Sequence, residues 1–172
     1  TYNGTSLATL SASNYSLSGL VGNESFTVNK TRGTFDNQNV GSGLLVTATL
    51  GPADYSAGAG TLLTNYVLPT TMSGTIGAIT PKTITISLTG SVQKIYDGSL
   101  TTTLNSDNFQ ASGLIDGDVL LLKPITVIFV SKEVGQSISV TSSISNGDLI
   151  SNNYSLSATT LTGTVGVITP KP

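Results

Sequence analysis

Apolar and polar residues alternate with a period of two along much of this chain, which is the pattern of β-strands with one buried face. Residues 83–88 are the clearest case, because isoleucine and leucine there alternate with threonine and serine. No segment keeps a 3.6-residue period, so the sequence predicts a mainly β fold. The predicted strands are 25–28, 44–50, 65–68, 72–80, 83–88, 119–122, 125–129, 137–144, 154–159 and 161–169.

Glycine-containing pairs separate these strands and predict tight turns, since glycine adopts positive φ without steric cost. Residues 7–15 and 100–109 each predict a short helical turn, with serine or aspartate nearby as the cap. The turn pairs are Asp97-Gly98, Asp116-Gly117, Asn146-Gly147 and Val40-Gly41.

The chain contains two copies of one sequence unit. Matching landmarks follow the same order in both copies, at a shift of 94 residues near the start and 89 at the end. The second copy is shorter because residues are lost around 51–64, a Gly- and Ala-rich stretch that predicts a surface loop. The clearest matching segments are 1–5 with 95–99, 18–21 with 112–115, and 74–82 with 163–171.

A Thr-Pro-Lys sequence ends both copies and marks the module boundary. Pro81 and Pro170 fix their own φ and hold the preceding residue extended, which predicts a stiff link between strands. Two tandem, elongated modules are therefore predicted at 1–82 and 83–172. The first copy has no counterpart of strand 83–88, so we expect an exposed sheet edge in that module.

The low content of charged residues and the lack of cysteine limit which partners and which covalent stabilisation the chain can have. Charged residues make up only 9% of the chain, against roughly 25% in an average soluble protein. The net charge of −2 and the absence of a basic cluster give no basis for binding nucleic acid or an anionic membrane. Apolar runs such as 119–122 are too short to enter a bilayer as a spanning segment. Cysteine is absent, so no disulfide stabilises either module.

The chain also lacks histidine, which together with the missing cysteine excludes Ser-His-Asp, Cys-His and His-ligated zinc mechanisms. We therefore predict no enzyme activity and no cofactor. Asp116 and Asp118 are weak candidates for a calcium-binding turn, with solvated acids in a glycine-centred turn as the favoured alternative. The first copy has Gly22 and Glu24 at these two positions, which argues against a shared metal site.

The two Tyr-Asx-Gly starts are candidate structural motifs. Tyr2 and Tyr96 could stack on a sugar, but the favoured interpretation is a ring packed over the end of the module with its hydroxyl bonded to the backbone. The pairs that follow, Asn3-Gly4 and Asp97-Gly98, are expected to be turn residues.

These landmarks together resemble the YDG-repeat family, which is related to the MBG repeats of large bacterial surface proteins. The resemblance covers nearly the whole chain, and Asn3 departs from it by replacing an aspartate. It is carried by Tyr2-Asn3-Gly4 and Tyr96-Asp97-Gly98, by Ser-Gly-Leu-x-x-x-Asp/Glu at 18–24 and 112–118, by 35–41 with 129–135, and by the Asn-Tyr and Ile-Thr-Pro-Lys ends.

The resemblance implies a β-rich, β-grasp-like module, with an immunoglobulin-like β-sandwich as the alternative. It implies a tandem array in secreted or cell-surface bacterial adhesins of the filamentous-haemagglutinin type. The expected function is a non-catalytic stalk or spacer whose partners are neighbouring repeats of the same chain. The alternative is an adhesin module that binds a glycan, an exopolysaccharide or a protein, by its loops or by strand addition at a sheet edge.

Overall fold

A computed structural model describes all residues from 1 to 172 and confirms the mainly β prediction. Strands account for 46% of the residues and helical turns for 9%, and no helix reaches seven residues. No helix has the length and apolar character needed to cross a membrane. The chain forms two compact units, Gly4–Ile79 and Thr80–Pro172, and residues Thr1–Asn3 belong to the second of them.

Fourteen strands follow one another along the chain. They are β1 Leu7–Thr9, β2 Phe26–Val28, β3 Arg32–Phe35, β4 Gly41–Thr49, β5 Tyr55–Ala57, β6 Thr71–Ile79, β7 Lys82–Leu88, β8 Val92–Ile95, β9 Thr101–Leu104, β10 Phe109–Ser112, β11 Ile125–Phe129, β12 Gly135–Ser143, β13 Tyr154–Leu156 and β14 Thr160–Thr169. Single 3-10 turns lie at Ala12–Asn14, Pro52–Asp54, Leu63–Asn65, Ser106–Asn108 and Asn146–Asp148.

The first unit consists of an antiparallel sheet in the order β1-β3-β4-β6 and a separate pair, β2-β5. Alternate residues of these strands point inward, as the period-two pattern requires. They form one apolar core of Ala8, Leu10, Val28, Val46, Ala48, Leu50 and Tyr55.

The second unit has a five-stranded sheet in the order β8-β14-β12-β11-β9 and a three-stranded sheet in the order β10-β7-β13. Two of the pairs, β14 with β8 and β13 with β7, are parallel. An immunoglobulin-like sandwich is built from antiparallel sheets, so these parallel pairs set the unit apart from that alternative. Its most deeply buried side chains are Phe129, Ile84, Ile168, Val92, Val127 and Val140.

A long antiparallel pair with β-bulges recurs in both units, as β4 with β6 and as β12 with β14. The register shifts fall at matching positions, on either side of Leu44 in the first unit and of Ile138 in the second. Bulges increase the local twist of a strand and bend it. Both copies of the sequence therefore encode the same curved ribbon at the centre of the unit.

The units differ at the edge of that ribbon. In the second unit β14 pairs with β8, whereas in the first unit β6 has no strand on that side, so its open edge corresponds to β8 and not to strand 83–88 as we expected. In the second unit β7 also has β10 on one side and β13 on the other. The counterparts of β10 and β13, at 15–18 and 66–68, form no strand. A strand needs a hydrogen-bonded neighbour, and these segments have no counterpart of β7 beside them.

This missing neighbour explains one wrong strand prediction, and two other predictions also need correction. Residues 65–68 are not a strand. Residues 119–122 form only an isolated bridge between Leu122 and Leu149, with Val119 and Leu121 exposed. The stretch 51–64 is more than a surface loop, because it contains β5 and its buried Tyr55.

Candidate functional site

Two tyrosines and one carboxylate form a hydrogen-bonded cluster in the second unit. Oδ2 of Asp118 accepts a hydrogen bond from the Tyr2 hydroxyl at 3.0 Å and another from the Tyr154 hydroxyl at 2.5 Å. The two rings meet edge to face, with their centroids 5.5 Å apart. Both tyrosines are buried, and Asp118 is half-buried.

Local structure places each member of this cluster. Tyr154 is the first residue of β13, and its hydroxyl oxygen accepts a hydrogen bond from the Ile115 backbone N–H at 3.0 Å. Asp118 ends a tight turn in which its own N–H donates to the Ile115 carbonyl, and Gly117 supplies the positive φ of 87°. The Tyr154 hydroxyl thus ties both ends of this turn to the three-stranded sheet.

The first unit contains the same arrangement with a different acid. The Tyr66 hydroxyl donates to Glu24 Oε2 and accepts the Val21 backbone N–H at 3.0 Å. Glu24 closes its turn by donating its N–H to the Val21 carbonyl, with Gly22 at a φ of 57°. Phe26 meets the Tyr66 ring edge to face at 5.1 Å. A tyrosine–carboxylate closure of this turn is therefore common to both copies.

The electrostatics of these tyrosines favour a structural role. Burial raises the pKa of Tyr2 and of Tyr154 above the ordinary value of 10, and the neighbouring Asp118 carboxylate raises it further. The pKa of Tyr66 is raised mainly by its hydrogen bond to Glu24. A raised pKa keeps the phenol protonated as a donor, so its contribution to stability is complete below about pH 10 and is lost as the pH rises through the folded-state pKa.

Asp118 was a weak calcium candidate together with Asp116. Oδ2 of Asp118 is occupied by two phenol donors, while Asp116 is exposed on the same turn. The chain contains no group of three or more histidine, cysteine, aspartate or glutamate side chains placed to hold a metal ion. The chemistry that the geometry supports at Asp118 is hydrogen-bond acceptance from tyrosine.

The second Tyr-Asx-Gly motif forms a charged turn. Lys94 Nζ donates to Asp97 Oδ1 and to Ser99 Oγ, both at 2.6 Å, and to the Thr101 carbonyl at 3.1 Å. The pKa of Asp97 lies well below its usual range, chiefly because the Lys94 ammonium donates a hydrogen bond to the carboxylate. The backbone N–H and the hydroxyl of Ser99 donate further hydrogen bonds that lower the pKa in the same direction. Gly98 follows at a φ of 77°.

The other structural-motif residues lie in a bend or beside the end of a strand. Gly4 follows Asn3 at a φ of 74°, close to that of Gly98. The Tyr2 hydroxyl reaches a carboxylate rather than the backbone that we expected. Pro81 lies between the end of β6 and the start of β7, and Pro170 directly follows β14.

Sequence reasoning missed the tyrosine–carboxylate closures because their members are far apart in the chain. Tyr154 and Asp118 are 36 residues apart, and Tyr66 and Glu24 are 42 apart. A signal was present in the aligned copies, since each acid and each Asn-Tyr pair recurs at the matching position. The calcium hypothesis treated Asp116 and Asp118 as a pair, and this obscured the match between the copies. Only Asp118 has an acidic counterpart in the first copy, which is Glu24.

One cavity of the second unit has an apolar wall with few polar or charged groups. It has a volume of about 560 Å³ and is lined mainly by apolar side chains. Lys123 is the only charged residue in its wall. The apolar lining consists of Leu104, Phe109, Ala111, Leu114, Leu120 and Leu122, among others.

Comparison with known families gives the identity of the repeat. The YDG domain matches two segments of the chain, residues 1–74 and 80–161. The chain belongs to the YDG-domain family. Each of the two matched segments contains one tyrosine–carboxylate closure. No curated protein and no solved structure matches this YDG chain.

Removing the hydroxyl of Tyr154 tests the closure in the second YDG copy. We expect Tyr154→Phe to lower the free energy of unfolding by about 1–2 kcal/mol, because the Ile115 N–H and the Asp118 carboxylate both lose a partner. Urea unfolding followed by circular dichroism measures the change. Tyr66→Phe should cost less, because Tyr66 is only half-buried. Tyr96→Phe leaves both closures intact, and an equal loss in that variant would contradict the assignment.

Proposed function

We propose that this pair of YDG domains is a non-catalytic tandem repeat region of a secreted or cell-surface bacterial adhesin. In this role it acts as a stalk or spacer that projects a distal binding domain. The observation that carries the proposal is that both copies build the same closure from a turn, a tyrosine and a carboxylate. Repeated units in which residues at matching positions perform the same structural task suit a protein that has to present uniform, stackable modules.

The use of the few acidic residues supports the same proposal. Asp54 Oδ2 accepts the Gly51 N–H at 2.8 Å, and Asp148 Oδ2 accepts the Ser145 N–H at 2.7 Å. These two acids occupy matching positions and stabilise matching 3-10 turns. Together with Asp97 and Asp118 they are engaged in turns, so few carboxylates remain for acid–base chemistry.

The mechanical side of the proposal concerns the Thr-Pro-Lys link. A proline between two strands restricts the chain, and the repeats of a stalk have to transmit orientation from one to the next. We expect small-angle scattering and ¹⁵N relaxation of the whole chain to report one elongated body. Pro81→Gly should broaden the distribution of end-to-end distances while leaving the circular dichroism spectrum unchanged. Independent tumbling of the two units in the unaltered chain would refute the spacer role.

A second candidate is a module that binds a glycan, an exopolysaccharide or a protein. The specific observation in its favour is the open edge of β6, since strand addition is an established mode of recognition. A glycan array and a pull-down with purified chain would separate the candidates. A reproducible ligand that maps to residues 51–64, where the copies differ most, would favour binding over the spacer role.

A further inference from the structure

The apolar cavity of the second unit has the size of a small-molecule site. Its volume of about 560 Å³ lies within the range of roughly 300–1,000 Å³ that such sites occupy. One wall of the cavity is the segment 119–124, and the facing wall comes from β9, β10 and the 3-10 turn between them. This shape suits a slender molecule that lies along the segment 119–124.

The rim of the cavity exposes apolar side chains to solvent. Val119 is 73% exposed and Leu121 is 55% exposed, although both residues belong to the cavity wall. Ile150 is 59% exposed and lies beside Leu121, since its N–H donates to the Leu121 carbonyl at 3.0 Å. Contiguous exposed apolar residues of this kind mark interaction sites, because covering them removes apolar surface from water.

The first copy shows that the module does not require these apolar residues. The counterparts of the three exposed residues all carry hydroxyl groups, and they are Ser25, Thr27 and Ser56. All three are exposed in the first unit. The counterpart of Lys123 is Asn29. The copies therefore share the surrounding turns but differ in the chemistry of this wall, so its apolar character is not a structural necessity of the repeat.

Lys123 brings one positive charge to the wall without an anionic partner. Its Nζ donates to the Gly147 carbonyl at 2.6 Å, and it takes part in neither salt bridge of the chain. Asp148 accepts the Lys123 backbone N–H with its carbonyl, but its carboxylate accepts the Ser145 N–H instead. An anionic group of a ligand would therefore find its partner at the Lys123 end of the cavity.

We propose that this cavity binds a free medium-chain fatty acid, with its alkyl chain along residues 119–122 and its carboxylate at Lys123. The proposal does not depend on the spacer role. A single charge at one end of an otherwise uncharged wall matches an amphiphile with one anionic end. Each methylene that leaves water adds to the affinity, and no other charged side chain of the wall would have to lose its water. The segment 119–123 spans roughly 13 Å when extended, which limits the length of alkyl chain that it covers.

Titration of decanoate into the whole ¹⁵N-labelled chain tests this site. Below its micelle concentration, decanoate should give saturable 1:1 binding, with chemical-shift changes concentrated at 103–111 and 119–124. The affinity should rise by up to about fifteenfold from octanoate to decanoate, since each buried methylene contributes roughly fourfold. Absence of saturation, or affinities that do not depend on chain length, would overturn the proposal. Binding to phosphatidylglycerol vesicles without binding of decanoate would assign the surface to a membrane and would also overturn it.

Exchanging the rim for the residues of the first copy tests the location of the site. Val119→Ser combined with Leu121→Thr should weaken decanoate binding at least about tenfold, because both apolar contacts are lost. Ile128→Thr is the matched control, since Ile128 is 56% exposed, lies outside this cavity and has Thr34 as its counterpart. This control should leave the affinity unchanged. Equal affinities for the rim variant and the control would exclude the cavity as the site.

A comparison of decanoate with 1-decanol tests the contact with the carboxylate. Lys123→Asn should weaken decanoate binding about two- to fivefold, which is the effect of losing an exposed ion pair. The same variant should leave the affinity for 1-decanol unchanged, because the alcohol has no charge to pair with the ammonium. An equal effect on both ligands, or no effect on decanoate, would contradict the assignment of Lys123 and with it the proposal.

Discussion

Replacing Phe129 by alanine should lower the free energy of unfolding of the second unit by about 3–5 kcal/mol. Phe129 is 1% exposed and ends β11, where it lies opposite Val140 of β12. Its ring packs against the Gly166 backbone of β14, so one side chain joins three strands of the five-stranded sheet. Truncation removes this apolar burial and leaves a cavity between strands that cannot close without disturbing the ladder.

The repeat supplies a matched variant for this prediction. Phe35 is the counterpart in the first unit, where it is only half-buried and packs in the same way on Gly77. Phe35→Ala should therefore cost less, and its effect should be confined to the first unit. Urea unfolding followed by amide signals of each unit in NMR spectra measures both changes. A smaller loss for Phe129→Ala than for Phe35→Ala would show that the structure assigns the core incorrectly.

The strands that could be predicted from the sequence are those with both alternation and length. Residues 83–88, 125–129 and 161–169 lie wholly in strands of the structure, and 137–144 does so up to Ser143. Alternation encodes which face is buried, and in these segments the buried face is strongly apolar. Short strands such as β1 and β8 were not predicted, because three or four residues carry too little pattern to stand out from a loop.

Two wrong predictions arose because partners decide whether a segment becomes a strand. Residues 65–68 and 154–156 have closely similar sequences, yet only the second segment lies beside β7 and becomes a strand. Residues 119–122 are strongly apolar but have only a single bridge, at Leu122. Local pattern reports what a side chain prefers, whereas strand formation also requires a neighbouring backbone.

The candidate site was predictable only in part. The glycine turns were visible in the sequence, and Gly98 and Gly117 both take positive φ in the structure. The pairing of Asp118 with Tyr154 was not visible, because a single sequence gives no distance between residues far apart in the chain. Aligning the copies narrows the search, since Glu24 and Tyr66 repeat the same two residue classes at the same two positions.

Because Phe129 packs against Gly166, a side chain added at this glycine should destabilise the second unit, as truncation of the ring does. We expect Gly166→Ala to lower the free energy of unfolding by about 3 kcal/mol, at the upper end of the range for overpacking. The new Cβ would lie 2.6 Å from Cε1 of Phe129 and 2.8 Å from the Ile138 carbonyl oxygen. The ring could move only by giving up its own packing, and the carbonyl belongs to the neighbouring strand β12, so neither can yield cheaply.

Gly163, three residues earlier in the same strand, is the control that isolates this cause. Its nearest atom to a new Cβ is that of Leu88 at 3.5 Å, which is an ordinary contact distance. Gly163→Ala should therefore be neutral or slightly stabilising, because alanine loses less conformational entropy on folding. Thermal and urea unfolding of both variants measures the difference. Since both changes add one methyl group to β14, an equal loss would mean that glycine is required there for backbone conformation and not for the approach of the Phe129 ring.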